Sequence, residues 1–392
     1  MEDREFIEKI AKRLLNIRAI SPKSGGSGEE EKANEIISIL NDMGYSDYMS
    51  YDIRDDHNKI RPNIILKLGN YDRTFWTISH MDTVPEGDIS LWKYEPFNAT
   101  IVDDKIYGRG SEDNGQSIFT IMLLLKHLDT NKLKINAGFA FVSDEETGNN
   151  YGIKYLLEKN IFGKNDLILV PDAGVEDGSM IEIAEKSVLW LKFTVLGRQG
   201  HASMPEDTIN AFMELSIFMN ILDKHLKVSF DHKNPIFEPP ISTFEPTKHE
   251  KNIDNINTIP GKEVFYYDCR ILPEYSVEDV LRSVDEIINE YSQNGKAKIS
   301  YEIVERDEAS DPTPADSEIV TRLKKSIFEI RGIEATSIGI GGSTFAAFFR
   351  KKGIPAAVWS TTVIHMAHMP DEYCRIQDII NDRDVLENIL YN

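Results

Sequence analysis

Thr74-Phe75-Trp76-Thr77-Ile78-Ser79-His80-Met81-Asp82 begins with five β-branched or aromatic residues and ends in an imidazole and a carboxylate. The first part predicts a buried strand, and the polar end falls where open α/β sheets place their ligands, at the carboxyl end of a strand. Gln116 to Leu128 follows as an apolar run of helix length, and Ile135 to Val142 is a second strand-like run. Strand, helix, strand predicts a sheet with crossover helices. Outward from this unit, Asn63 to Leu68 and Asp166 to Val170 read as further strands. Residues 5–16 (Phe6, Ile7, Ile10, Leu14, Leu15) and 29–43 (Ala33, Ile36, Ile37, Ile39, Leu40) repeat at helical spacing; Ser21-Pro22 and Gly44 break the pattern.

From about residue 189 the texture changes. Trp190 to Leu196 alternates as a strand, Ile209 to Leu226 is a long helix, Glu263 to Ile271 is a strand, and 277–292 is a helix. A helix at 316–331, a Gly-rich turn at 339–343 and a strand at Ala356 to Ser360 then complete the chain. The predicted fold class is α/β: a doubly wound, mostly parallel sheet formed by 1–188 and 306–392, interrupted by a smaller α/β domain at 189–305.

With 44 Lys+Arg against 65 Asp+Glu in 392 residues, the formal charge is −21. Such a chain repels phosphate backbones and anionic lipid, which argues against nucleic-acid and membrane partners. The hydrophobic content of 41% belongs to a folded protein. Two cysteines, Cys269 and Cys374, are too few for a disulfide scaffold, and the start Met1-Glu2-Asp3-Arg4-Glu5 has no signal-peptide pattern. A cytoplasmic location is the expectation.

The chemistry lies in carboxylates and histidines near the predicted strand ends. His80 and Asp82, two apart on an extended chain, point to the same side, so one can bind metal while the other orients it. A lone His-x-Asp is frequent by chance. Asp113, in Tyr107-Gly108-Arg109-Gly110-Ser111-Glu112-Asp113-Asn114-Gly115, reads equally as the cap of the following helix. Glu145 and Glu146 repel each other, which is tolerable when a cation neutralises one and the other takes protons. Asp172 and His368 each have an ordinary structural reading. Taken together in chain order, these residues form a mixed nitrogen and oxygen set suited to zinc or a similar ion, and a bridging carboxylate would allow two.

At this point the chain resembles the di-zinc aminoacylase and carboxypeptidase family, which includes succinyl-diaminopimelate desuccinylase, acetylornithine deacetylase and related dipeptidases. Ser79-His80-Met81-Asp82-Thr83-Val84-Pro85, Tyr107 through Asp113, Asp144-Glu145-Glu146-Thr147-Gly148, Pro171-Asp172, Gly200-His201-Ala202-Ser203, Asn257-Thr258-Ile259-Pro260-Gly261 and His368-Met369-Pro370-Asp371-Glu372 carry the resemblance. It implies two zinc ions per chain, replaceable by cobalt or manganese. Asp113 would bridge them, His80 and Asp172 would complete one site, and Glu146 and His368 the other. Asp82 would hold the His80 ring. Glu145 would be the general base, moving a proton from the attacking water to the departing amine. The resemblance also implies a cis peptide at Asp113-Asn114.

In similar enzymes the inserted domain is a lid and dimerisation domain, which implies a homodimer in which His201 reaches the partner subunit's site and stabilises the oxyanion. Asn257 and Arg270 match substrate-contacting positions, although Arg270 reads nearly as well as a structural ion pair. Gly341, Gly342, Ser343 and Thr344 precede a helical stretch and match a loop that binds the product carboxylate in relatives; nucleotide binding is the weaker reading because no phosphate-loop spacing is present.

Many relatives have Met-Lys-Gly or Asp-Lys-Gly where this chain has Asn114-Gly115-Gln116. Aspartate at 172 is shared with several dipeptidases and some deacylases. The leading expectation is hydrolysis of an N-acyl amino acid, with a dipeptidase or carboxypeptidase as the alternative. A non-catalytic binding module is a distant third, and a carboxylate-pair glycosidase is disfavoured by the histidines.

Overall fold

In the computed structural model, which describes residues 2–392, the Thr74–His80 strand is buried along its whole length in the middle of an eight-stranded sheet. It pairs in parallel with Asn136–Val142 and with Leu167–Val175, and Ala356–Thr361 adds in parallel beside the latter. Antiparallel strands flank this core: Ile64–Leu68 and Tyr48–Ser50 on one side, Met180–Glu185 on the other. The α/β expectation with a parallel centre therefore holds.

Parallel strands must be covered on both faces. Trp76, Ile78, Ala140, Val142, Ile168 and Val170 point to one face and pack with Ile153, Leu156, Phe345 and Phe349 from two short helices. Phe162 wedges edge-on against both Trp76 and Phe349, with ring centroids 5.1 and 4.8 Å away. Gly138 leaves room for this layer: a Cβ there would lie 2.4 Å from the Trp76 ring. The Gln116–His127 helix, buried from Gln116 through Leu125, packs against Ile376–Tyr391 and the Thr74–His80 strand. That enclosure explains why its sequence is apolar on every side.

The chain divides into two compact units. The first comprises residues up to Ile183, Thr313–Ile338 and Thr344–Asn392; the second comprises Ala184–Pro312 and Gly339–Ser343. The second unit is built on a four-stranded antiparallel sheet in the order Thr243–His249, Lys262–Ile271, Ser187–Leu196, Lys298–Asp307. Helices Ala211–Ser229 and Val277–Asn294 pack with it around Phe193, Phe218, Phe265 and Tyr267. The Thr243–His249 strand escapes sequence reading for a physical reason. It is an edge strand with mostly exposed side chains, and Pro246 sits at a register shift.

Asp378 and Asp382, one turn apart on the Ile376–Tyr391 helix, are both buried. Asp382 accepts hydrogen bonds from Thr361 N (2.9 Å) and Oγ1 (2.6 Å), and Arg375 Nη1 is 3.9 Å from Asp378. Burial, reinforced by the neighbouring Asp382 carboxylate, pushes Asp378 up to about 7, and burial pushes Asp382 up to about 6. Both folded values lie above the ordinary aspartate range, so the fold favours the protonated forms. Their stabilising contribution is complete at acid pH and is lost as pH rises through the folded values. Asp378→Asn should therefore raise the melting temperature more at pH 8 than at pH 5, which thermal melts at the two pH values check.

Candidate metal centre

Most candidate residues of the first unit owe their position to a strand end or to a turn packed against one; Asp172 instead lies inside the strand, which runs past the expected end at Val170 to span Leu167–Val175. His80 closes the Thr74–His80 strand with its side chain fully buried. Its Nδ1 faces the Asp82 carbonyl oxygen at 3.1 Å and the Asp82 carboxylate at 3.5 Å, leaving Nε2 directed into the site. Asp82 does more than orient that ring. Its two oxygens accept the backbone N–H groups of Glu145 and Glu146, each at 3.0 Å. It thereby fixes the turn after the Asn136–Val142 strand.

Asp113 does not cap the following helix; Gly115 occupies the N-cap of Gln116–His127. Ser111–Gly115 forms a separate turn in which Asp113 has φ −109° and ψ 93°, and the Asp113-Asn114 peptide is cis. Gly110 starts that turn at φ +75°, where a Cβ would strike Thr83 Cγ2 at 2.4 Å. The freed carboxylate divides its oxygens between two imidazoles: Oδ1 lies 2.8 Å from His80 Nε2, and Oδ2 lies 3.0 Å from His368 Nε2. Asp172 stands 3.4 Å from His80 Nε2, and Glu146 stands 3.3 Å from His368 Nε2. Ligand atoms of His80, Glu145 and Asp172 fall within 4.8 Å of one another, as do those of His80, Asp113 and Glu146.

A second carboxylate pins the Asp113 turn. Glu372 accepts N–H from Glu112 (3.0 Å) and Asp113 (3.1 Å), and Arg109 joins it to the His368 carbonyl oxygen, donating from Nη1 to Glu372 and from Nη2 to that oxygen at 3.0 Å. The pairing of Tyr373–Arg375 with Lys105–Tyr107 brings these distant segments together. Asn114 donates from Nδ2 to Asp172 Oδ1 at 2.7 Å and to the Pro171 carbonyl oxygen at 2.9 Å, so this departure from the commoner loop sequence holds a candidate ligand in place.

The electrostatics match a site that attracts cations. Burial, then the Asp172, Glu146 and Asp82 carboxylates, push Glu145 well above the usual carboxylate range against the opposing pull of His80. Burial and Asp113 push Glu146 up to about 7. Burial acts upward on Asp113 as well, but hydrogen bonds from His368 and His80 outweigh it and hold this carboxyl low. Hydrogen bonds to Asp113 and Glu146 draw His368 up to about 10. Lys32 is buried behind the site; burial pulls its ammonium down to about 8, opposed by Asp82, Glu372, Asp113 and Glu29. Imidazole and carboxylate donors around a carboxylate whose two oxygens face opposite ways fit a pair of divalent ions, and zinc suits this donor set. Lys32, Arg109, Asn114 and Glu372 went unassigned in the sequence reading, although all but Lys32 lie in or beside quoted motifs.

The remaining candidates belong to the second unit, apart from Thr344. Gly200–His201 pairs with Thr258–Ile259, and Ala202 N donates to the Asn257 carbonyl oxygen at 2.9 Å, so His201 and Asn257 are neighbours. Ser203 N donates to His201 Nδ1 at 3.2 Å, which leaves Nε2 as the ring's N–H donor. Arg270 realises its ion-pair alternative: Nε and Nη2 bond both Asp268 oxygens at 2.6 and 2.9 Å, and Nη1 donates to the Gly341 carbonyl oxygen at 3.0 Å. Its fork is thus already engaged. Ser343 Oγ donates to Asp307 at 3.1 Å. Thr344 is buried, and its hydroxyl accepts from Ala346 N at 3.2 Å at the start of a helix only six residues long.

The sequence matches peptidase family M20/M25/M40 over residues 76–392. The chain belongs to this family. It is 42% identical over 404 residues to an uncharacterized metallohydrolase of Methanocaldococcus jannaschii, covering 97% of this chain and 98% of that one. It is 25% identical over 377 residues to a succinyl-diaminopimelate desuccinylase of Wolbachia pipientis, covering 95% and 89%. Among solved structures, an M20 family metallo-carboxypeptidase from Sulfolobus solfataricus superposes with a TM-score of 0.75 at 20% identity, covering 100% of this chain and 99% of that one. The protein is therefore an M20 metallohydrolase. Among the described residues no helix is long and apolar enough to cross a membrane.

For this M20 metallohydrolase, Glu372→Gln keeps the side-chain size but weakens the grip on the Asp113 turn and on Arg109. Outer partners of metal ligands typically carry about 10- to 100-fold in affinity. Zinc affinity of the variant, measured by competition with a chelating dye, should fall within that range while circular dichroism stays unchanged.

Proposed function

We propose that the protein hydrolyses the amide bond of an N-acyl amino acid, of the succinyl-diaminopimelate desuccinylase or acetylornithine deacetylase type, using two zinc ions per chain. The observation that carries the reading is the Asp113 carboxylate divided between His80 and His368, with Glu145, Glu146 and Asp172 around it. The acyl-amino-acid preference draws support from the 25% identity to the Wolbachia desuccinylase over nearly the whole chain. Dipeptide or carboxypeptidase action is the second reading, favoured by Asp172 and by the likeness to the Sulfolobus enzyme.

In this reading His80 and Asp172 would hold one ion, Glu146 and His368 the other, and Asp113 would serve both. When bound, the ions polarise the scissile carbonyl and make the attacking water more acidic. Glu145 takes the proton from that water as its oxygen bonds the carbonyl carbon. It then delivers the proton to the amine nitrogen as the C–N bond breaks. A carboxyl group kept above its usual range by burial is suited to both halves of that task. Asp82 keeps His80 and the Glu145 backbone in register. His201, presented with Nε2–H, donates to the oxyanion. Asn257 and the Gly341 to Thr344 segment contact the substrate, and Arg270 does so through what its pairing with Asp268 leaves free. We read the second unit as lid and dimerisation domain, and the working form as a cytoplasmic homodimer.

Amine release by the zinc-loaded protein, with N-succinyl-diaminopimelate, N-acetylornithine and unblocked dipeptides compared in one assay, tests the substrate class. Faster release from the blocked amino acids is expected; faster release from dipeptides would replace the reading with a peptidase. Glu145→Gln should retain zinc yet lose about 100-fold or more in kcat, and near-normal kcat would overturn the assignment of the base. Full activity in a protein of monomeric mass would remove the partner-subunit role of His201.

A further inference from the structure

The reaction assigned to Glu145 needs its carboxylate held still, yet the side chain hangs from the turn Ser143–Tyr151, which has no regular structure until the Ile153–Glu158 helix. Asp144, just before the base, has φ +66°, a left-handed conformation unusual for a residue other than glycine. The backbone therefore needs outside contacts to hold that shape.

Those contacts come from three consecutive residues and one helix entry. Asn63 Oδ1 accepts the Ser143 N–H at 3.1 Å, and its Nδ2 donates to the Tyr151 carbonyl oxygen at 2.9 Å, so one amide holds both ends of the turn. The Pro62 carbonyl oxygen accepts from Ser143 Oγ at 2.6 Å. Arg61 forms a two-pronged pair with Glu29, Nε to Oε2 at 2.7 Å and Nη2 to Oε1 at 2.6 Å, and its Nη2 lies 3.4 Å from Asp144 Oδ1. The Tyr151 ring stacks near the guanidinium, 5.4 Å from its centroid. Glu29 Oε1 also accepts the Asp144 N–H at 3.2 Å. Inside the turn the Asp144 carboxylate accepts the N–H groups of Asn150 (2.8 Å) and Tyr151 (3.2 Å).

The side chains of Arg61, Glu29 and Asp144 are fully buried, with Asp55 as a third carboxylate 3.3 Å from Arg61. Taking such charges out of water is costly, and a packed apolar cluster is often at least as stable. What ions add is direction, and here Arg61 and Glu29 both reach Asp144 in the turn that carries Glu145.

We infer that the buried Glu29–Arg61 pair is a positioning device for the general base, acting through Asp144 to set where the Glu145 carboxylate stands. The inference rests on Glu145 being the base. Glu29 and Arg61 touch neither substrate nor metal; they are positioning residues.

The test is Glu29→Gln, which keeps size and one acceptor but removes the charge that matches Arg61. Misplacing a catalytic group by about 1 Å costs on the order of 100-fold. With the blocked amino acid that the wild-type protein hydrolyses fastest, kcat should fall about 10- to 100-fold while KM stays within about twofold. Zinc content should match the wild type. Hydrogen exchange of the metal-free chain should speed up at residues 144–151 and stay unchanged in the central sheet strands. Should Glu29→Gln fail to fold, Asp144→Asn carries the same expectations. Unchanged kcat, unchanged exchange at 144–151, or a kcat loss that follows zinc loss or general exchange would each overturn the inference. Glu145→Gln measured alongside separates the two ideas: normal turnover there removes the base assignment, while the exchange profile of Glu29→Gln still judges the grip on the turn.

Discussion

Crowding of carboxylates around the Asp113 side chain is the constraint on which the rest of the site depends. Asp82, Glu145 and Glu146 follow the ends of parallel strands, Asp172 lies within one, and Asp113 comes from the turn that Glu372 holds. Like charges at such separations oppose one another strongly in a protein interior. His80 and His368 flank the two oxygens of Asp113 at 2.8 and 3.0 Å, and the neighbouring carboxylates hold both imidazoles above their usual range. The same demand for positive charge explains why Lys32, Arg61 and Arg109 are buried around the cluster.

The two histidine segments solve the same problem in the same way. Two residues after His80, Asp82 accepts successive N–H groups of Glu145 and Glu146; four residues after His368, Glu372 accepts successive N–H groups of Glu112 and Asp113. Each histidine thus arrives with a carboxylate that grips a turn carrying acidic groups of the site. A carboxylate accepting two adjacent amides fixes both position and direction of a backbone turn. The parallel core contributes what such turns need, a set of adjacent strands ending at one edge of the sheet.

The candidate metal ligands were legible because the chemistry permits few residue types and the motifs around them are local. His80, Asp113, Glu146, Asp172 and His368 do meet in space. The central strands were legible because burial on both faces leaves continuous apolar runs such as Thr74–Ile78. Edge strands such as Thr243–His249 were not, since half-exposed polar sequence with an internal proline lacks that pattern. Glu29 and Arg61 were also hidden, because an isolated charged residue reads as solvated until a fold encloses it with a partner far along the chain. Arg270 shows what position alone leaves out: its match to a substrate-contacting position in relatives does not disclose the carboxylate two residues away on the same strand that engages its fork.

Asp113 is the center of this account, and anomalous diffraction from crystals of the zinc-loaded protein at the zinc absorption edge interrogates it directly. The account predicts two anomalous peaks per chain, one on each side of the Asp113 carboxylate, with His80 and Asp172 at one and Glu146 and His368 at the other. A single peak, or a pair in which Asp113 touches only one ion, would contradict it.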